Sequence, residues 1–220
     1  TPAAGPTAGC TTVTVRGHGF LDSPDLLCAF GTTTTSAAFV DSGAISCRTP
    51  QDRSEDRDFP VRVGLTVSNN GVDYSKLALG FYFIPAPTLS SIYPRVVTVE
   101  DVENDRSVVN IYGTGFVQYV EEDSRLGVDN IRSSGAIFNT TCRFAGIGDS
   151  LAVVVLPTMI TCPMPPVSAS VGVVVVTVSV NGQDFPASES GLTLAIVPAP
   201  LVGSLFPTMG PSSGGTIVQV

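Results

Sequence analysis

Pro85-Ala86-Pro87-Thr88-Leu89-Ser90-Ser91-Ile92-Tyr93-Pro94 returns later in the chain as Pro198-Ala199-Pro200-Leu201-Val202-Gly203-Ser204-Leu205-Phe206-Pro207. A recurrence of this kind marks an array of one module, and self-similarity decides architecture before length does. A second match sets the phase. Pro2 to Val15 (PAAGPTAGCTTVTV) aligns without gaps on Pro207 to Val220 (PTMGPSSGGTIVQV). The chain starts and stops at nearly the same point of the module, so it reads as a window on a longer protein. The expected modules are 1–84, lacking its first strand, then 85–197 with long insertions, and at 198–220 the N-terminal part of a third.

Hydrophobic residues make up 43% of the chain and charged residues 14%, enough apolar surface for cores, while Pro and Gly are spread as punctuation. The net charge is -8 and Lys76 is the single lysine. No basic stripe exists to release counterions from a phosphate backbone, so nucleic acid is excluded as a partner. The apolar stretch from Leu151 to Val178 is interrupted by Pro157, Pro163, Pro165 and Pro166, so this segment holds no membrane span.

Short runs of Val, Thr, Ile and Phe alternate with turn residues, the pattern of a β-sandwich or barrel. Strands are expected at Thr11–Arg16, Val61–Val67, Val108–Tyr112, Leu151–Leu156 and Gly172–Val180, and no amphipathic helix is evident. Asn70-Gly71 and Asn181-Gly182 predict two-residue hairpins, because Asn and Gly tolerate the positive φ of primed turns.

Four of the five cysteines fall into two matched settings. Cys28-Ala29-Phe30 is followed by Ile45-Ser46-Cys47, and Cys142-Arg143-Phe144 by Ile160-Thr161-Cys162. Pairing Cys28 with Cys47 and Cys142 with Cys162 closes loops of about twenty residues, each contributing roughly 3 kcal/mol by chain-entropy reasoning. Oxidised pairs imply a secreted or surface location. Four buried free thiols are the alternative. Zinc is disfavoured because no second Cys or His lies two to four residues from any of them. Cys10 stands where the later copy has Gly215.

The order of signals in one module is a Pro-rich lead, a Val-rich strand, Gly-x-Gly-Phe, Cys-x-Phe, Ile-x-Cys-x-x-Pro, a long Val strand, Asn-Gly and a closing aromatic strand. Through Gly17-His18-Gly19-Phe20, Gly113-Thr114-Gly115-Phe116, the cysteine settings, the Asn-Gly turns and Phe81-Tyr82-Phe83, it resembles the IPT/TIG family of immunoglobulin-like domains, found in plexin-type ectodomains and some transcription factors. The resemblance implies an all-β fold of tandem early-set immunoglobulin-like sandwiches. An antibody-type domain sets a core Trp beside a disulfide spanning two sheets. This chain has no Trp, and its cysteine pairs are too close in sequence for that arrangement.

Seven residues separate Gly-x-Gly-Phe from Cys-x-Phe in the first copy (Leu21 to Leu27) and twenty-five in the second (Val117 to Thr141). Long loops on a rigid sandwich are where binding concentrates, so this insertion is the expected contact loop. His18, the only histidine, has no partner motif for catalysis and reads as a turn residue. The glycines beside it lack a Walker lysine and a following helix. Glu100, Asp101, Glu103 and Asp105, and separately Glu121, Glu122 and Asp123, lack the spacing of a calcium loop and read as solvated charge. Asn139-Thr140-Thr141 is a glycosylation sequon.

No enzyme, metal or cofactor motif is present. The sequence therefore predicts a non-enzymatic extracellular structural or adhesive protein, a rod of sandwiches in a cell-surface filament, flagellar appendage, coat or matrix. Its expected partners are neighbouring protein subunits and glycans. The second reading is the stalk of a plexin-like receptor ectodomain that binds a protein ligand.

Overall fold

A computed structural model describes residues 1–52, 60–103, 107–117, 131–132, 138–166, 172–185 and 191–219. The N-terminal sandwich contains β1 (Ala4–Pro6), β2 (Thr12–Arg16), β3 (Leu27–Phe30), β4 (Thr33–Asp41), β5 (Ala44–Arg48), β6 (Val61–Ser68) and β7 (Ala78–Ile84), bonded in the order β1-β7-β6-β3-β4-β5-β2. Its core gathers Val13, Val15, Leu26, Phe30, Ile45, Leu65, Phe81 and Phe83 around Cys28 and Cys47. Val13 and Val15 on β2, and Ile45 and Cys47 on β5, are buried while Thr14 and Ser46 between them are half-buried, the period of two expected of a strand.

After the Pro85-Ala86-Pro87 lead come β8 (Thr88–Tyr93), β9 (Val96–Thr98), a five-residue helix α1 (Val99–Glu103), β10 (Val108–Thr114), β11 (Ile131–Arg132), β12 (Thr141–Phe144), β13 (Gly148–Leu151), β14 (Val153–Leu156), β15 (Met159–Pro163), β16 (Gly172–Ser179) and β17 (Leu192–Val197). One sheet runs β14-β15-β10-β8 and the other β13-β12-β16-β17-β9. The C-terminal sandwich repeats the N-terminal order, with β13 and β14 in the place of β4 and with β8 added beyond β10. Its own core includes Ile92, Val109, Ile111, Phe116, Phe144, Ile160, Val176, Leu194 and Ile196.

Both cysteine pairs are bonded, Cys28 to Cys47 and Cys142 to Cys162. Sequence proximity does not confine either bond to one sheet. β4 pairs with β3 through Thr33–Ser36 and with β5 from Ala37 onward, so the chain passes between sheets inside the short loop and the bond joins the two layers. The passage occurs at the same place in both copies: Ala37 N–H donates to Leu26 O, and Ala152 N–H donates to Thr140 O, each at 2.9 Å. The expected single strand Leu151–Leu156 is therefore two strands interrupted at Ala152.

Two further expectations change. A helix is present after all, as α1, where Thr98 caps the first turn by accepting from Asp101 N–H at 3.2 Å while donating to its carboxylate at 2.6 Å. The Asn-Gly turns are not two-residue hairpins. β6 pairs with β7 in the register Leu65↔Leu79, which leaves a loop from Asn69 to Leu77. A type I′ turn needs positive φ at both central residues. Gly71 and Gly182 have it (73° and 72°), but Cys10 is the only non-glycine residue with positive φ among those described.

The Gly-x-Gly-Phe turns divide their glycines by task. Gly19 and Gly115 adopt φ of 79° and 80°. Gly17 leaves room for the returning ring, since a Cβ there would stand 2.9 Å from Phe20 Cζ, whereas a Cβ at Gly113 would first collide with the Thr88 carbonyl oxygen, with Phe116 Cζ next at 3.1 Å. Thr1 and Thr14, Tyr93 and Asn110, and Phe206 and Gln219 exchange backbone contacts at equivalent points of the three copies.

Candidate functional site

The described residue network with the most built character is the joint between the sandwiches. It starts from a local motif present twice. In Ser179-Val180-Asn181-Gly182-Gln183-Asp184, Asn181 Oδ1 accepts from the N–H of Gln183 (3.0 Å) and Asp184 (2.9 Å) and from Ser179 Oγ (3.0 Å), while Asn181 Nδ2 donates to Asp184 Oδ2 (2.7 Å). An Asn side chain that bonds the backbone two and three residues ahead imitates a backbone turn. Ser68, Asn70, Val72 and Asp73 form the same network at 2.8–3.0 Å.

Only the second turn reaches another layer. Asn181 Nδ2 donates to Ala4 O at 3.0 Å, Thr11 Oγ1 donates to Asp184 Oδ2 at 2.6 Å, and Gln183 Nε2 donates to Thr12 O at 3.3 Å. Thr11 and Asn181 are buried, and the Thr11 bond is charge-assisted, the stronger kind. Gly5 makes this geometry available, for a Cβ at that position would land on Thr11 Oγ1.

Beside the polar contacts lies an apolar cluster drawn from both sandwiches: Ala4, Tyr82 and Ile84 against Phe138 and Val180, flanked by Val117. The Tyr82 and Phe138 rings meet edge to face at 5.5 Å. β11 adds a parallel pairing of Ile131–Arg132 with Ala78–Leu79. Within the Val117–Thr141 insertion, then, the described ends and β11 face the neighbouring sandwich; residues 118–130 and 133–137 lie outside the description.

The remaining predicted residues are scattered. His18 lines an open groove with Gly19, Phe20, Asn69, Asn70 and Asp73, at the pole of the N-terminal sandwich away from the joint. Cys10 is exposed in a left-handed conformation (φ 66°), as Gly215 is in the later copy (φ 85°). Asn139 is exposed, and its carbonyl accepts from Thr141 Oγ1 at 2.9 Å. Asp101 is engaged with Thr98, and Glu100 accepts from Ala199 N–H at 3.0 Å. The Glu103 side chain, Asp105, Glu121, Glu122 and Asp123 lie outside the described residues. Arg143 pairs with Asp149 through two hydrogen bonds of 2.8 Å and covers the Phe185 ring at 3.6 Å. The guanidinium bonded to Asp149 holds its carboxyl below the ordinary range. No described helix is long and apolar enough to cross a membrane.

The joint escaped sequence reading because Ala4, Thr11 and Thr12 lie far along the chain from Asn181 to Asp184. A signal was nevertheless present, for both Asn-Gly pairs carry Ser two residues before the Asn and Asp three after it.

Among solved structures, the chain resembles the Plexin A4 full extracellular region (16% identity, TM-score 0.47), a match that covers 99% of this chain and 18% of that one. It also resembles the Bacteroides ovatus mixed-linkage glucan utilization locus SGBP-B (11%, TM-score 0.33, 97% and 49% covered) and invasin, a bacterial integrin-binding protein (14%, TM-score 0.31, 93% and 40% covered). The chain thus spans under a fifth of the plexin's length and under half of the other two. No curated protein matches. The IPT/TIG domain family matches residues 1–81, and the N-terminal sandwich is an IPT/TIG domain.

Proposed function

We propose that this chain is part of a non-enzymatic extracellular structural or adhesive protein. Its sandwiches, taken as modules over 1–84, 85–197 and 198–220, form a rod in a cell-surface filament, flagellar appendage, coat or matrix. The observation that carries the reading is the joint. Domains in one chain move against each other by default unless their interface is large and apolar. Here a Pro-Ala-Pro lead, a short low-entropy connector, is supplemented by the Tyr82–Phe138 cluster and the Thr11–Asp184 and Asn181–Ala4 bonds. The two disulfides support an oxidising compartment, and Asn139, exposed on its loop, fits a glycan acceptor there. Leu151, Val153, Val155 and Leu156 leave an apolar edge on the C-terminal sandwich that suits lateral contact with neighbouring subunits.

The IPT/TIG match also favours the stalk of a plexin-like receptor ectodomain that binds a protein ligand. Both readings need stiffness, which small-angle scattering measures. The scattering of one rigid elongated particle is expected, with a sharply bounded maximum dimension and no rising flexible tail at wide angle, and Phe138→Ala should introduce that tail. A flexible tail in the unaltered chain would defeat rod and stalk together. The full-length sequence separates the two: a membrane span followed by a cytoplasmic domain favours the receptor, and a secreted array favours the assembly.

A further inference from the structure

We propose that the outer face of the sheet β14-β15-β10-β8 is a docking site for the same face of a second copy of this chain, the two packing face to face about a two-fold axis. No residue of these four strands is charged, in a chain of net charge -8. The register sets Val153, Thr161, Asn110 and Tyr93 abreast in one row and Leu156 with Tyr112 in the next, while Ile160 and Ile111 point the other way, into the core. The C-terminal sandwich lies between 1–84 and 198–220 in the chain, and Tyr93, Val108, Tyr112, Val153 and Leu156 are exposed with both in place. A contiguous apolar face of this kind marks an interaction surface.

The N-terminal sandwich shows that the fold does not require such a face. Val13 pairs with Cys47 as Val109 pairs with Cys162, so Arg16 takes the place of Tyr112 and Arg48 that of Pro163. Both arginines are exposed. Charge also selects the occupant. Two copies of an acidic chain repel where their charged surfaces meet, whereas this face brings no charge to be buried unpaired. The polar pair at its middle is internally satisfied, for Thr161 Oγ1 donates to Asn110 Oδ1 at 2.9 Å. Four strands about 4.8 Å apart, each some six residues long at about 3.4 Å per residue, make a face roughly 20 Å on a side, so two stacked copies bury on the order of 1,000 Å² in all, what a specific interface needs. The same patch serves both partners, so the contact is isologous and closes at two. The inference rests on the reading of a subunit that meets its neighbours side to side, and it names the neighbour's surface.

Sedimentation velocity over a concentration series tests this, on the chain carrying Cys10→Gly so that the exposed thiol cannot cross-link copies. A monomer–dimer equilibrium is expected, with Kd on the order of 100 μM or tighter. Tyr112→Arg with Pro163→Arg gives this sheet the charges that its counterpart carries at Arg16 and Arg48, positions where the fold accommodates them. The double variant should weaken dimerisation at least about hundredfold, because like charges then meet across the axis. Val153→Lys, on the exposed edge strand, should weaken it about tenfold, and it decides the matter if the double variant loses its native circular dichroism. A chain that stays monomeric at millimolar concentration, whatever else its face binds, or a dimer that withstands both variants, overturns the proposal. Scattering from the monomeric double variant reports on stiffness alone, so failure here leaves the rod reading standing and the reverse also holds.

Discussion

The two sandwiches share a strand order but fill their cores differently. In the N-terminal one Phe30, Phe81 and Phe83 pack together with centroids 5.2–6.3 Å apart. In the C-terminal one Phe144 keeps the place of Phe30, while Leu194 and Ile196 replace Phe81 and Phe83. The missing ring volume is supplied from the turn: Phe116 is 2% exposed, whereas Phe20 only packs against the edge of its core. One motif, Gly-x-Gly-Phe, is thus a core element in one copy and a flank in the other. Interiors must be filled to near-crystalline density, and here the difference in strand residues decides what the turn contributes.

Substitutions at the two turns give the largest test. Phe116→Ala should cost about 4 kcal/mol and Phe20→Ala roughly half as much, as judged by urea unfolding with native-state amide exchange to assign each loss to its sandwich. Equal losses would mean that the rings play the same part. Next, Cys28→Ala with Cys47→Ala, and Cys142→Ala with Cys162→Ala, should each remove about 3 kcal/mol from their own sandwich, because the bonded residues are 19 and 20 apart and loop length sets the constraint. Peptide mapping without reduction must also recover these pairs and no bond between sandwiches.

The turns at the poles give a smaller contrast. Asn70→Ala removes bonds within its loop and should cost about 1 kcal/mol, while Asn181→Ala also leaves the Ala4 carbonyl without its partner and should cost about 1–2 kcal/mol more. The smallest effect is electrostatic. Asp149 has its pKa lowered by Arg143, so its contribution is present above the ordinary carboxylate value of 3.8 and disappears as the pH falls through the lower folded value. Both side chains are some two-fifths exposed or more, which limits the pair to roughly 0.2–1 kcal/mol. Asp149→Asn should flatten the acid limb of the stability curve by that amount.

Much of the fold was legible in the sequence where side-chain chemistry is local. Cys28 and Cys142 before Phe, Gly19 and Gly115 at left-handed positions, and the Val-rich β6 and β16 announce themselves. β4 did not, because Thr33-Thr34-Thr35-Ser36 has no apolar alternation, and its passage between sheets is dictated by partners on either side. Asn70-Gly71 misled because the same dipeptide suits a primed hairpin and an Asn-capped loop, and only the register of β6 on β7 distinguishes them. The joint was illegible for a different reason. Thr11, an ordinary strand-edge residue within its own sandwich, acquires its role only when Asp184 arrives from the next.

The placement of the disulfides has a mechanical meaning. A chain pulled from its two ends transmits tension through each bridge, so the residues between Cys28 and Cys47 and between Cys142 and Cys162 carry no load. At about 3.3–3.6 Å per extended residue, each bridge withholds roughly 60 Å of slack that a reduced sandwich would release on rupture. A surface exposed to shear would then lengthen in short, bounded increments, and the portion kept folded behind each bridge would retain the two-layer contact from which the rest can re-form.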